Sequence, residues 1–255
     1  MVMQLPGGTG IQGKAGSKPR VPALAHQWGY MPATDYWFFP NTDYLTASSP
    51  NLLSAVGWIT NGTVSFVAGS GADFLGNVGG TTDMGTPAHF LCNATGERLT
   101  SPFIFNSYEH RYFIKSYLGW EPKALVAEFF AIWTTASNAD TTGGIGFVEA
   151  GGAIQTAADH FAMLTSDGTN FILRSGAATT TFAAAVDTDP HIWKIELNLS
   201  SGYATFKKDG VAQGTGGSGG TGSIAIEADL SPNAFGVAVT SSNVIGLGTT
   251  HLYYV

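Results

Sequence analysis

Residues 187–210, DTDPHIWKIELNLSSGYATFKKDG, read as turn, strand, tight turn, strand, turn. Trp193, Ile195, Leu197 and Leu199 alternate with Lys194, Glu196 and Asn198, which gives an extended chain one apolar face and one wet face. Ser200-Ser201-Gly202 reverses the chain. Ala204 and Phe206 then put a second strand on the same core before Asp209-Gly210 turns it again. Two strands with one buried face each need a facing sheet, so this stretch predicts half of an antiparallel β-sandwich. No catalytic group is required in it, and none stands out elsewhere.

The pattern continues on both sides. LVAEFFAIW (125–133) is apolar on nearly both faces, as a central strand is. A short strand is expected over Ile145 to Glu149. Phe161 to Thr165 and Phe171 to Arg174 flank Ser166-Asp167-Gly168, a hairpin signal. Further strands are expected at Ile224 to Glu227, Phe235 to Val239 and His251 to Val255. Strands at this spacing, with turn residues between them, predict a sandwich or jelly roll over 120–255.

Upstream the chain changes character twice. Residues 1–34 are rich in Gly and Pro without periodicity, the composition of an extended arm that orders against a partner. Residues 35–119 form an irregular β-rich region. Trp58-Ile59 and Thr63 to Val67 are expected as strands around Asn61-Gly62, and Phe103 to Phe105 and Arg111 to Tyr117 as two more. GSGADFLGNVGGTTDMGTP (69–87) reads as a long loop-rich insertion.

Charged residues make up only 11% of the 255, with 34 glycines and many Ser, Thr, Asn and Ala in their place. Surfaces of small neutral residues suit packing against other subunits, because interface centres are depleted of charge. Of 11 basic and 18 acidic side chains, three basic ones and no acid lie in the arm, leaving 8 against 18 in the body, a net of −10. A basic arm on an acidic body invites head-to-tail docking. Lys14, Lys18 and Arg20 are the expected ion-pairing residues, and Trp28 and Tyr30 the anchors for apolar pockets. Three charges are too few for nucleic-acid binding.

Cys92 is the single cysteine and sits among apolar neighbours in HFLCNA, which predicts a buried, inert thiol and folding in a reducing cytoplasm. MVMQLPGGTG lacks the pattern of a secretory signal, and no stretch approaches the ~20 apolar residues of a membrane helix.

The succession GIGFVEAGG, HFAMLTSDGTNFILRSG, DTDPHIWKIELNLSSGYATFKKDG resembles the concanavalin A-like (laminin-G-like) jelly roll. In that family a strand of His, aromatic, basic and Ile is followed by x-x-Phe-x-x-Asp-Gly. Here the matching residues are His191, Trp193, Lys194 and Ile195, then Phe206, Asp209 and Gly210. Such domains are similar to those of tailed-bacteriophage virion proteins, both capsid decoration proteins and tail fibres. Relatives also include glycoside hydrolases, marked by a strand carrying Glu-x-Asp-x-x-Glu, which puts nucleophile and acid on one face about 5 Å apart. No such string occurs. Glu227 and Asp229 share a strand face, but beside Leu230-Ser231-Pro232 they read as solvated strand-end carboxylates.

Other motif matches fail on context. Gly214, Gly216 and Gly219 fit a dinucleotide fingerprint, and Gly216-Gly-Ser218-Gly-Gly220 fits a hydrolase elbow. Both need a following helix, whereas SIAIEAD is a strand pattern. The six histidines show no ligand spacing. Asp187-Thr-Asp189 has the form of a calcium loop but also of ordinary turn chemistry, and the turn is the preferred reading.

Low charge, the arm and the missing carboxylate pair favour a non-enzymatic structural protein of a virus particle, a capsid decoration or cement protein docked on or between capsid subunits. The alternative is a tail-fibre or receptor-binding protein that grips a cell-surface glycan, with aromatics of WGYMPATDYWFF (28–39) stacking on sugars. Expected partners are other virion proteins and further copies of the chain, with neither nucleic acid nor membrane. No cofactor or metal is expected. The expected location is the virion, assembled in the host cytoplasm.

Overall fold

The computed structural model describes residues 35–40, 58–62, 64–67, 87–101, 115–116, 119–135, 139–148, 160–176, 178–213, 223–226, 234–240 and 243–255. Its strands form two antiparallel sheets. The nine-stranded sheet holds β1 (Asp35–Phe38), β3 (Ser65–Val67), β4 (His89–Cys92), β6 (Ala124–Thr135), β11 (His191–Asn198), β12 (Tyr203–Lys208), β13 (Val211–Ala212), β14 (Ser223–Ala225) and β16 (Val244–Tyr254). Its order is β13-β12-β11-β6-β16-β4-β3, with β1 beside β16 and β14 beside β12. The seven-stranded sheet holds β2 (Ile59–Asn61), β5 (Arg98–Thr100), β7 (Ala139–Val148), β8 (His160–Asp167), β9 (Asn170–Ser175), β10 (Ala178–Ala185) and β15 (Ala234–Ala238), in the order β10-β9-β8-β7-β15-β5-β2.

The alternation read in 187–210 is what closes the sandwich. Trp193, Ile195 and Leu197 of β11 and Ala204 and Phe206 of β12 are fully buried, while Lys194, Glu196 and Asn198 face outward. Beside them Phe129 of β6 is buried too, opposite Trp193 in the register. The facing sheet interlocks through rings. Phe171 of β9 lies 4.9 Å from Trp193 and 5.1 Å from Trp133, both edge-on, and Phe235 of β15 lies 5.1 Å from Phe129. The expected hairpin around Gly168 is present, with that glycine at φ 89° between β8 and β9. The all-β, antiparallel sandwich expected from sequence is the observed fold.

Several details differ. Asn61-Gly62 does turn the chain, with Gly62 at φ 77°, but β2 and β3 do not pair with each other. β2 joins the seven-stranded sheet and β3 the nine-stranded one, so the turn carries the chain across the sandwich. Lys115 and Ser116, within the stretch expected as a strand over 111–117, are helical. Residues 35–119 add five strands to the same two sheets rather than a layer of their own. These strands are three or four residues long, too short to show an alternation by themselves. β10 was not expected either, because ATTTFAAA lacks the apolar–polar alternation that marks a half-buried strand. Phe103 to Phe105 lie outside the described residues.

Candidate functional site

The functional question falls on the outer face of the nine-stranded sheet. Alternation sends Asp35 and Trp37 of β1 to that face while Tyr36 and Phe38 pack against the core. The register then lines up Trp37 with His251 of β16, His251 with Glu128 of β6, Glu128 with Lys194 of β11, and Lys194 with Lys207 of β12. One row of side chains thus crosses five strands, aromatic at one end and charged at the other.

The aromatic end is a column of rings. Trp37 stacks on His251 at 3.8 Å and 11°, and His251 on Tyr253 at 4.3 Å and 25°. Trp37 also stacks with Phe39, at 5.7 Å and 4°. Asp35 fixes the imidazole, with Oδ1 2.8 Å from His251 Nε2. Phe39 ends the column, and among the described residues no second ring covers its far side. Trp37 and Phe39 remain 52% and 59% exposed, large values for side chains that cost free energy to leave in water.

The charged end is a closed network. Tyr253 donates its hydroxyl proton to Glu128 Oε1 at 2.8 Å. Lys194 Nζ lies 3.2 Å from the same oxygen, 3.5 Å from Tyr253 Oη and 3.7 Å from Glu196 Oε2. Partial burial pushes the Glu128 carboxyl upward, but the Tyr253 hydrogen bond and the Lys194 ammonium outweigh it and hold that carboxyl below its usual range. For Lys194 partial burial works downward, and the Glu128 hydrogen bond outweighs it, so its ammonium is favoured further. Burial and then the Glu128 carboxylate push the Tyr253 phenol up. At neutral pH the face therefore presents ionised Glu128, charged Lys194 and neutral Tyr253. Glycoside hydrolysis needs a carboxyl held protonated as general acid. Glu128 is shifted the opposite way.

A second constellation, at the Asp187 end of β11 and β12, is built for structure. Asp209, at φ 50°, accepts the Ile192 N–H at 2.9 Å and meets His191 Nδ1 at 2.6 Å. Asp187 meets His191 Nε2 at 2.7 Å, accepts Lys208 Nζ at 2.7 Å, and takes the Asp189 N–H at 3.2 Å. The carboxylate that had the form of a calcium ligand is thus engaged in turn chemistry, and the His191 and Asp209 of the family-like pattern clamp two strand ends together. Partial burial pushes Asp187 upward, but hydrogen bonds from Lys208 and His191 outweigh it and hold the carboxyl below the ordinary 3.8. A depressed folded-state value adds stability that is complete above the unfolded value and is lost as pH falls through the folded one. Denaturant midpoints measured from pH 6 down to pH 3 should therefore fall less steeply in Asp187→Asn than in the parent, from a lower starting point.

Cys92 is buried, and burial followed by the charge of Glu97 pushes its thiol well above the usual range, so it is an inert core group. Lys14, Lys18, Arg20, Trp28 and Tyr30 lie outside the described residues, as do Glu227, Asp229 and the glycines from 214 to 222. The sequence shows the aromatic run 28–39 and the wet face of Lys194 and Glu196, but not that they meet in one row. Its visible signal was the shared parity of Asp35 and Trp37 in DYWF and of His251 and Tyr253 in HLYY, but nothing local says that strands some 216 residues apart pair.

No family model matches the chain, and no curated protein matches it. Solved structures similar to it are found at low identity and low TM-score. One is the binding domain of botulinum neurotoxin DC in complex with SialylT, at 9% identity and a TM-score of 0.43 over 77% of this chain and 42% of that one. Another is a Trypanosoma rangeli sialidase in complex with the inhibitor DANA, at 11% identity and a TM-score of 0.46 over 77% of this chain and 30% of that one. A third is a conserved carbohydrate esterase from the Shiga toxin-encoding bacteriophage phi24B, at 11% identity and a TM-score of 0.46. The chain spans less than half the length of the first two and 95% of the phage protein.

Proposed function

We propose that this chain is a non-enzymatic protein of a virus particle whose sandwich grips a glycan with the outer face of the nine-stranded sheet. The observation that supports this reading is the ring column Phe39–Trp37–His251–Tyr253, exposed at Phe39 and Trp37, set beside the ionised Glu128–Lys194–Glu196 network. A sugar has an apolar C–H face and a rim of hydroxyls. An open aromatic ring takes the first, and fixed carboxylate acceptors and an ammonium donor take the second. Such contacts are weak singly, and many copies on one particle would raise them by avidity. This favours the glycan-gripping reading over capsid decoration. In the same proposal the arm 1–34 is the docking device toward other virion subunits, through Lys14, Lys18, Arg20, Trp28 and Tyr30.

Binding to a panel of immobilised oligosaccharides is the test. At least one glycan should be retained by the parent protein and lose tenfold or more in Trp37→Ala and in Phe39→Ala. Both positions are half-exposed, so melting should stay close to that of the parent. A panel in which no retention depends on either ring would overturn the proposal.

A further inference from the structure

We infer that the ligand of this face is an uncharged glycan rather than a sialylated or uronate-bearing one. The inference rests on the glycan reading and adds the chemical class. Across β1, β16, β6, β11 and β12 the described titratable groups on the outer face are Asp35, His251, Tyr253, Glu128, Lys194, Glu196, Tyr203 and Lys207. Carboxylates outnumber ammonium groups by three to two. The central ammonium is also already shared, since Lys194 lies 3.2 Å from Glu128 and 3.7 Å from Glu196. In the ring column the imidazole of His251 is already engaged, held by Asp35 at 2.8 Å.

A sugar carboxylate laid on this row would have to pull Lys194 away from two carboxylates or approach them closely, and like charges at short range repel. Lys207 alone is exposed at the far end, where solvent weakens its pull. Hydroxyls meet the opposite situation. Ionised carboxylates accept from them, and such charge-assisted bonds are the stronger kind. Glu128, Glu196 and Asp35 therefore act as acceptors for neutral sugar hydroxyls next to the rings, and they disfavour acidic sugars by charge.

The test pairs glycans that differ only in charge: uncharged hexose or N-acetylhexosamine oligosaccharides against the same backbones capped with sialic acid or carrying a hexuronate. The full-length protein should bind an uncharged member about tenfold or more tighter than its acidic counterpart at low salt. The gap should narrow at high salt, because screening weakens the repulsion. Glu196→Gln should narrow it several-fold as well, by freeing Lys194 from one partner. Equal or tighter binding of the acidic member, still lost in Trp37→Ala, would overturn the charge argument while leaving the glycan face standing. Binding of neither class in a Trp37-dependent way would overturn both. A Trp37→Ala variant that instead changes the native mass would mark the face as a protein interface and overturn both as well.

Discussion

Trp193→Ala is expected to destabilise the protein by about 3–5 kcal/mol, the range for removing a large aromatic from a packed core. Trp193 is fully buried on β11, opposite Phe129 of β6, and its indole meets Phe171 of the other sheet in a T-shaped contact. Phe171 in turn meets Trp133, so one deletion loosens three rings that join the two layers. Domains of this kind are held by roughly 5–15 kcal/mol in total, so the loss is a large fraction. Chemical denaturation with constant m-value would read it directly. A change under about 1 kcal/mol would mean that the sandwich closes elsewhere.

Gly146→Val is the second large effect, expected at about 2–5 kcal/mol from backbone strain and overpacking together. Gly146 lies in β7 at φ 156°, paired on one side with Met163 and on the other with Gly236. A Cβ there would collide with the Ala162 carbonyl oxygen and come within 2.9 Å of the Met163 Cα and 3.0 Å of its Sδ. The thioether can move, but the β8 backbone is held in the sheet on both sides. Soluble yield and melting temperature should both drop. A variant that melts like the parent would show that β7 and β8 pack less closely than this.

The two mutations separate what the chain displays openly from what it hides. Trp193 stood out in sequence because alternation over seven residues is a local signal, and packing a large ring inward satisfies the same physics that propensity reads. Gly146 falls inside the short strand expected over Ile145 to Glu149, yet nothing local marks it as the place where two strands approach too closely for a side chain. Close approach is a property of the assembled sheet and leaves no local pattern. β1, β4 and β5 were hidden for a related reason, since three or four residues become a strand only when β16 or β15 supplies the partner. The candidate site was half legible. Exposed aromatics in DYWFF were visible as such, and Lys194 and Glu196 were visible as a wet face. Their convergence with His251, Tyr253 and Glu128 depends on β1 and β11 flanking the β6–β16 pair, which is tertiary information.

Sugar is proposed to contact Trp37 and its ring column. The chain has six tryptophans, of which Trp58, Trp133 and Trp193 are buried and Trp37 is half-exposed. Indole N–H resonances of ¹⁵N-labelled protein, assigned by single substitution, report on each separately. Titration with an uncharged oligosaccharide retained by the parent protein should shift the Trp37 indole progressively and leave those of Trp58, Trp133 and Trp193 in place. Saturable binding of that sugar with the Trp37 resonance unmoved would mean that the glycan is held elsewhere on the protein.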